Sequence, residues 1–151
     1  GQRQRVSIAR TLIMKPKFVV CDEPTSMLDV SIRISIMDLM LNLAKDLGIS
    51  YLYITHDLAV ARYMCNRIAV MFNGKIVEIA ETEELLGNPV HPYTKRLISS
   101  IPVPDPKYKR IEYDLNFDEL DKIIKNNPNI DMVDIGGEHY IATHDVKDIL
   151  Y

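Results

Sequence analysis

Two adjacent carboxylates, Asp22 and Glu23, stand at the end of a short apolar run. Residues 18–21 are aromatic, β-branched or small, which predicts a buried strand, and Pro24 prevents that strand from continuing in a central ladder position. The carboxyl end of a parallel strand is the usual ligand position in open α/β sheets. Carboxylates in such a place can bind a hard cation or accept a proton, so the pair is a candidate catalytic site.

A histidine occupies the matching position after a second strand-like run. Residues 51–55 are mostly aromatic or β-branched, and His56 and Asp57 follow them. Between the two runs, Asp29 precedes an amphipathic helical pattern that stops at Gly48. This order predicts a right-handed parallel crossover, which brings the histidine to the same sheet edge as the carboxylates. A lone histidine at a strand end is more often a structural hydrogen-bonding group, but the shared edge favours a functional role.

The start of the chain predicts an anion site. Gly1 and Gln2 stand at the beginning of a helical pattern over residues 2–14, and Pro16 prevents that helix from continuing. Free backbone N–H groups and the positive end of the helix dipole favour a negative charge at a helix N-terminus. Asp29 precedes the next helix, and we expect its side chain to cap that helix.

Taken in order, these segments resemble the C-terminal half of the ATP-binding subunits of ABC transporters. Residues 1–5, Gly-Gln-Arg-Gln-Arg, resemble the end of the family signature Leu-Ser-Gly-Gly-Gln, with its first three residues missing. Residues 18–23 resemble the Walker B strand, residues 26–29 the D-loop, and His56 the switch histidine. Four motifs in the family's order make this resemblance specific.

The resemblance implies a fold and a reaction. The expected fold class is α/β: the C-terminal half of a P-loop NTPase parallel sheet with flanking helices, followed by a small α+β C-terminal tail. The expected reaction is phosphoryl transfer from ATP to water. In that reaction Asp22 would hold Mg²⁺ through its water shell, and Glu23 would polarise the attacking water as general base. His56 would orient that water and sense the γ-phosphate.

The resemblance also assigns nucleotide contacts and partners. Gly1 and Gln2 would meet the γ-phosphate of an ATP held mainly by an opposing subunit, and Asp29 would contact that subunit across the dimer interface. The expected partners are therefore a second ABC ATPase subunit, in a homodimer or a heterodimer, and transmembrane permease subunits, with no nucleic acid. The expected location is peripheral, at the cytoplasmic face of the cell membrane, without direct insertion into it.

One family element does not occur in the sequence. There is no Gly-x-x-x-x-Gly-Lys-Ser/Thr motif, so the chain has no loop to cradle the β- and γ-phosphates. We therefore expect the chain to be a C-terminal fragment of a longer subunit. The intact subunit would be an ABC-type ATPase, and the fragment alone would be inactive.

Composition and cysteine usage agree with an ordinary globular protein. Hydrophobic residues make up 47% of the chain, no apolar run approaches the length of a membrane span, and no signal peptide is expected. Cys21 lies inside an apolar strand, and neither it nor Cys65 has metal-ligand spacing. Both are predicted to be reduced, structural thiols, which fits a cytoplasmic location.

Charge and proline content predict the domain boundaries. Residues 1–110 hold 15 Lys or Arg against 11 Asp or Glu, a balance of +4, whereas residues 111–151 hold 3 against 10, a balance of −7. The change of sign follows a segment with three prolines, which disfavour a helix and favour an extended linker. The prediction is an ATPase part over residues 1–101, a linker over residues 102–110 and an acidic helix–hairpin tail over residues 111–151.

A segment rich in proline narrows the expected function. Residues 88–97 and 102–106 resemble the extension found in ATPases of the oligopeptide, dipeptide and nickel importer branch. The leading hypothesis is therefore a subunit that powers the import of oligopeptides or dipeptides. The alternatives are a non-transport ABC ATPase, against which the extension argues, and a non-enzymatic remnant that only binds a partner ATPase.

Histidines other than His56 are not expected to bind a metal ion. His91 lies between two prolines and is assigned a structural role. In the tail, the spacing of His139 and His144 along a strand puts them on opposite faces. Because no cysteine follows Cys65, the iron–sulfur segment that some relatives carry after the proline-rich stretch is excluded.

Overall fold

A computed structural model describes residues 2–101, 116–126 and 131–142. Gly1, the first residue of the predicted anion site, lies outside these described residues, and so does the predicted linker. The chain divides into two compact units, residues 1–64 and residues 65–151.

The first unit alternates helices and strands. Its elements, in order, are α1 (Gln2–Ile13), β1 (Phe18–Asp22), α2 (Val30–Leu47), β2 (Ser50–Ile54) and α3 (Leu58–Met64). The two strands pair in parallel, with Phe18 opposite Ser50 and Asp22 opposite Ile54. The predicted strand–helix–strand order is confirmed, and the carboxyl ends of both strands lie at one edge.

The apolar face of α2 forms the buried part of this unit. Ile36, Met37 and Met40 are buried, in agreement with the predicted amphipathic pattern. Gly48 has a φ of 64° and ends the helix as predicted, because glycine adopts this left-handed conformation without strain.

The start of α2 differs from the prediction. Asp29 occupies the N-cap position, but its side chain makes no capping hydrogen bond, so the prediction of a side-chain cap was wrong. The backbone carbonyl of Asp29 instead accepts the N–H of Arg33 at 2.8 Å. Residues 29–31 are exposed, so water can satisfy the first N–H groups of the helix without help from a side chain.

One face of the β1–β2 pair is open to solvent. Four apolar side chains on it are between 46% and 57% exposed: Phe18, Val20, Leu52 and Ile54. Parallel sheets normally have both faces covered, because each square ångström of apolar surface left in water costs about 25 cal/mol. The described residues therefore leave this small sheet incompletely covered.

The second unit is built on an antiparallel sheet. Its elements, in order, are β3 (Arg67–Phe72), β4 (Lys75–Glu81), α4 (Thr82–Gly87), α5 (Pro92–Ser99), α6 (Phe117–Asn126), β5 (Met132–Asp134) and β6 (Tyr140–Ala142). The strand order is β3-β4-β6-β5. The turn between β3 and β4 is Asn73-Gly74, and both φ angles are positive, which is the conformation of a two-residue hairpin turn.

The last described strand, β6, belongs to the same sheet as the β3–β4 hairpin. β6 pairs with β4, with Glu78 opposite Ile141 and Ile79 opposite Tyr140. Val77 and Ile141 are buried to within 1% of full burial. A boundary at residues 102–110 remains a prediction, but the strands on either side of it share one core.

A buried carboxylate organises the second unit. Glu78 is fully buried, and its two oxygens accept the backbone N–H groups of Val90 at 2.8 Å and His91 at 3.0 Å. The Nε2 atom of His139 lies 2.7 Å from the same side chain. His91 is buried as well, and its Nδ1 accepts the N–H of Tyr93, which caps α5. His91 therefore has the structural role that the sequence predicted, whereas His144 lies outside the described residues.

Candidate active site

The sheet edge of the first unit brings Glu23 and His56 together. β1 ends at Asp22 opposite Ile54, and the backbone N–H of Glu23 then donates to the Ile54 carbonyl at 3.0 Å, which extends the pairing by one bond. His56 follows two residues after Ile54. The Nδ1 atom of His56 lies 2.6 Å from Oε1 of Glu23, so the two side chains are hydrogen-bonded.

The pair is accessible from solvent. The side chain of His56 is 76% exposed and that of Glu23 is 43% exposed. A carboxylate in this position can accept a proton from a water molecule, and the imidazole beside it can orient that water or exchange a proton with the carboxylate. The geometry therefore fits a general acid–base pair at the end of a parallel strand.

The backbone of Glu23 is in a conformation that few residues adopt. Its φ is 42°, in the left-handed region where the β-carbon crowds the following carbonyl. The carbonyl of Glu23 accepts two hydrogen bonds from Ser26, one from the backbone N–H at 3.3 Å and one from the hydroxyl at 3.1 Å. These bonds close a turn after Asp22 and Glu23, and the chain leaves the sheet at this turn.

Thr25 and Tyr53 connect this turn to the neighbouring strand. Thr25 is 3% exposed, and its hydroxyl lies 3.0 Å from the hydroxyl of Tyr53 on β2. Sequence reasoning missed both residues, because Tyr53 was counted only as an apolar strand residue. The sequence did contain a signal, the phenol of Tyr53 three residues before His56, because a Tyr hydroxyl that is partly removed from water usually needs a hydrogen-bond partner.

Asp57 directly precedes α3 and caps its first turn. Its Oδ1 accepts the backbone N–H groups of Ala59 at 2.9 Å and Val60 at 3.3 Å, and its Oδ2 lies 3.4 Å from Nη1 of Arg33 on α2. Asp57 thus fixes the segment that immediately follows His56. Its carboxylate is engaged in capping and is not a second catalytic acid in this arrangement.

Asp22 lies beside a cavity of about 360 Å³. The lining includes the polar side chains of Gln4, Ser7 and Thr11 from α1, together with Asp22 and Glu23. Two neighbouring carboxylates fit part of a magnesium site, because Mg²⁺ is usually bound by one or two carboxylates and completes its shell with water and phosphate. Among the described residues, no group of three or more His, Cys, Asp or Glu side chains could hold a metal ion without such help.

The other predicted site residues are exposed and separate from the pair. Gln2 is the first residue of α1, and Asp29 precedes α2. Within residues 2–101, no hydrogen bond or ion pair joins either of them to Glu23 or His56. Their predicted contacts with a nucleotide or an opposing subunit therefore rest on the motif resemblance.

Burial raises the pKa of the thiols of Cys21 and Cys65, so both stay protonated at neutral pH. Burial, followed by the nearby Cys21, also raises the pKa of the Tyr51 phenol. These groups therefore do not supply a nucleophile at the sheet edge, which agrees with the structural role that the sequence predicted for the cysteines.

Comparison with known families identifies this arrangement. The family model for ABC transporters matches residues 1–26, which include α1, β1 and the two carboxylates. A second model, for the C-terminal region of oligopeptide/dipeptide transporters, matches residues 77–125. The chain belongs to the ABC transporter ATP-binding family. The second match covers the proline-rich extension, and it confirms that this extension resembles the oligopeptide and dipeptide branch.

Curated relatives of this family are similar over most of the chain. The oligopeptide transport ATP-binding protein AmiF of Streptococcus pneumoniae is 56% identical over 110 residues, which are 73% of this chain and 36% of that protein. The oligopeptide transport ATP-binding protein OppF of Bacillus subtilis is 44% identical over 141 residues, 93% of this chain and 46% of that protein. The glutathione import ATP-binding protein GsiA of Pectobacterium atrosepticum is 43% identical over 150 residues, 97% of this chain and 24% of that protein. The chain spans less than half the length of each.

Solved structures of ABC ATPases share the fold. CbiO1 of Clostridium perfringens, part of the ABC transporter complex CbiONQ, is 34% identical and superposes with a TM-score of 0.54 over 58% of this chain and 35% of CbiO1. The ADP conformation of MJ1267, an ATP-binding cassette of an ABC transporter, is 32% identical with a TM-score of 0.52 over 58% of this chain and 36% of that one. The predicted fold class, part of an ABC ATPase α/β domain, is confirmed. Across the described residues, no helix has the length and apolar character needed to cross a membrane.

Proposed function

We propose that this chain forms the C-terminal part of an ATP-binding subunit that hydrolyses ATP to power the import of oligopeptides or dipeptides. The observation that carries the proposal is the 2.6 Å contact between Glu23 and His56 at the ends of two neighbouring parallel strands. The names of the relatives support the peptide cargo, and the match of residues 77–125 supports the same branch.

Each residue of the edge has a distinct task in this proposal. Glu23 accepts a proton from the attacking water. Its carboxylate is exposed, so a water molecule can reach it, and the His56 imidazole holds it in place. His56 holds Glu23 and orients the same water. Asp22 takes the position of the carboxylate that holds a hydrated Mg²⁺, and the metal ion supplies charge neutralisation for the transferred phosphoryl group when it is bound.

Gln2 and Asp29 are proposed to act across a subunit interface. Both are exposed and lie outside the hydrogen bonds of the catalytic edge, which fits residues that meet a partner. Gly1 is proposed to join Gln2 in contacting the γ-phosphate of an ATP held mainly by the opposing subunit. That position is at the N-terminal end of α1, where backbone N–H groups favour an anion.

The proposed assembly follows from this division of the site. The partners are a second ATP-binding subunit, identical or different, and the transmembrane permease subunits, so the subunit lies peripherally at the cytoplasmic face of the membrane. The sequence has no phosphate-cradling loop. We therefore propose that residues 1–151 do not bind or hydrolyse ATP by themselves, and that the longer subunit supplies the loop.

Uptake of a labelled peptide tests the transport function. Cells that depend on the full-length subunit would be given a radiolabelled tetrapeptide, with wild-type protein, Glu23→Gln or Glu81→Gln. Glu81 is an exposed carboxylate at the end of β4 whose side chain makes no capping bond, so it serves as a matched control. We expect uptake to stop with Glu23→Gln and to continue with Glu81→Gln. Normal peptide uptake with Glu23→Gln would contradict the proposal.

A further inference from the structure

Thr25 and Tyr53 form a hydrogen bond between the two segments that carry the catalytic pair. Their hydroxyl oxygens are 3.0 Å apart, and Thr25 is 3% exposed. Thr25 lies two residues after Glu23 and Tyr53 lies three residues before His56. The exposed Glu23–His56 contact and the partly buried Thr25–Tyr53 contact therefore join the same two segments twice.

The turn at Glu23 needs support from outside itself. Glu23 has a φ of 42°, and such a conformation persists in a residue with a β-carbon only when its surroundings hold it. The two bonds from Ser26 to the Glu23 carbonyl lie within the turn, so they fix its shape but not its place relative to β2. The hydrogen bond between the Thr25 and Tyr53 hydroxyls and the bond from the Glu23 N–H to the Ile54 carbonyl both attach the turn to β2.

We propose that Tyr53 and Thr25 are positioning residues that hold the Glu23 carboxylate in register with His56, a role that rests on the proposed ATP hydrolysis. A general base works only when it is held within reach of the proton that it accepts, and small displacements cost rate steeply. Neither hydroxyl belongs to the residues assigned to nucleotide contact. Their loss therefore lowers kcat and leaves KM for ATP unchanged.

Four single variants of the full-length subunit test this role in steady-state ATPase assays. Tyr53→Phe and Thr25→Val each remove one hydroxyl with little change in shape, and each is expected to lower kcat about fivefold, the order of effect of one lost hydrogen bond. Thr25→Ser keeps the hydroxyl and is expected to restore kcat to near the wild-type value. Tyr63→Phe makes the same chemical change on α3, where the hydroxyl donates to Asp38 away from the catalytic pair, and is the matched control with kcat expected to stay at the wild-type value.

The double variant Tyr53→Phe, Thr25→Val tests whether the two hydroxyls act through each other. If they do, the double variant has about the same kcat as either single variant, because the interaction is already lost. Losses that multiply in the double variant would overturn the proposal. It would equally be overturned if Tyr53→Phe and Thr25→Val kept wild-type kcat, or if Thr25→Ser lost as much kcat as Thr25→Val.

A measurement without nucleotide separates this proposal from the proposed hydrolysis. The ring ¹³Cε1 signal of His56 in the full-length subunit reports its contact with Glu23 whether or not ATP is turned over. We expect Tyr53→Phe and Thr25→Val to shift this signal in the same direction and Thr25→Ser to leave it in place. A wild-type protein without ATPase activity would refute the proposed function, whereas an unshifted His56 signal in both variants would refute the positioning role.

Discussion

Glu78 and His139 are joined by a hydrogen bond of 2.7 Å although 61 residues separate them in sequence. Their side chains are 0% and 4% exposed. Glu78 lies in the middle of β4, and His139 precedes β6, so the contact attaches the segment before β6 to residues 77–125, which match the oligopeptide/dipeptide transporter C-terminal region. A fully buried carboxylate is stable only where hydrogen-bond partners satisfy it. Here the partners are the backbone N–H groups of Val90 and His91 and the Nε2 atom of His139.

Removing this cluster should destabilise the second unit. Glu78→Gln replaces one acceptor oxygen by a donor that faces backbone N–H groups, and we expect a loss of about 2–4 kcal/mol in the free energy of unfolding. His139→Ala leaves the carboxylate with its two backbone donors and should cost about 1–3 kcal/mol. Urea unfolding followed by circular dichroism measures both, with Glu81→Gln as the exposed control. A change below about 0.5 kcal/mol for Glu78→Gln would show that the cluster contributes little to stability.

The contacts of the tail also affect how its role should be tested. A proline-rich segment separates residues 111–151 from every predicted catalytic motif, and we therefore expect hydrolysis not to depend on them. However, β6 pairs with β4, and His139 contacts the buried Glu78. A deletion would therefore disturb the second unit as well as remove the tail, so point variants such as His139→Ala are the cleaner probe of its function.

The isolated chain should be poorly soluble and should not bind ATP. Apolar side chains such as Val20 and Leu52 are half exposed on the β1–β2 face, and no phosphate-cradling loop occurs in the sequence. We expect calorimetric titration of the purified 151-residue chain with Mg-ATP to show no heat of binding. Adding a separately expressed segment with the P-loop should restore solubility and ATPase activity together. The double variant Val20→Lys, Leu52→Lys should improve the solubility of the chain alone but abolish this complementation.

Micromolar binding of ATP by the chain alone would contradict that account, because it would require a phosphate site within residues 1–151. A soluble chain whose two lysine substitutions did not affect complementation would show that the open face is not the surface that the P-loop segment covers.

His56→Ala is expected to lower ATP turnover without weakening nucleotide binding. His56 contacts Glu23 and is 76% exposed, so its loss removes the orientation of the base without opening a cavity in the core. We expect kcat to fall by about 10²-fold or more, the effect typical of a lost acid–base group. Equilibrium binding of a fluorescent ATP analogue to the full-length subunit provides the second readout. A fall in nucleotide affinity as steep as the fall in kcat would assign His56 to binding or to structure.

The sequence predicted that Glu23 and His56 lie at one sheet edge because that part of the fold is local. β1, α2 and β2 follow one another, and a parallel strand pair places Glu23 and His56 at one edge whatever the rest of the chain does. The helical pattern over residues 2–14 was less informative about burial: Val6 and Ile13 are 60% and 77% exposed, whereas Ile8 lines the cavity beside β1. A helical period identifies a helix, but it does not identify which neighbours are present to cover its face.

Features that depend on distant partners could not be predicted. No residue type near Glu78 signals that its side chain is buried, because it pairs with a strand more than 60 residues later. The Thr25–Tyr53 bond depends on the left-handed turn at Glu23, which no residue type in that segment signals. Asp29 had the right residue type for a side-chain cap, but an exposed helix start can use water instead.

The central claim, that Glu23 is the general base for ATP hydrolysis, is tested most directly by the fate of bound nucleotide in Glu23→Gln. The amide keeps the size of the carboxylate and leaves Asp22 in place for the metal, but it cannot accept a proton. Full-length wild-type, Glu23→Gln and Glu81→Gln subunits would be incubated with radiolabelled Mg-ATP, and the bound nucleotide would be separated. We expect Glu23→Gln to retain ATP with near-normal affinity and a turnover lowered by about 10²–10⁴-fold, while the other two release ADP. Loss of a general base lowers turnover by much more than about threefold. If Glu23→Gln turned over ATP within about threefold of the wild-type rate, the account would be contradicted.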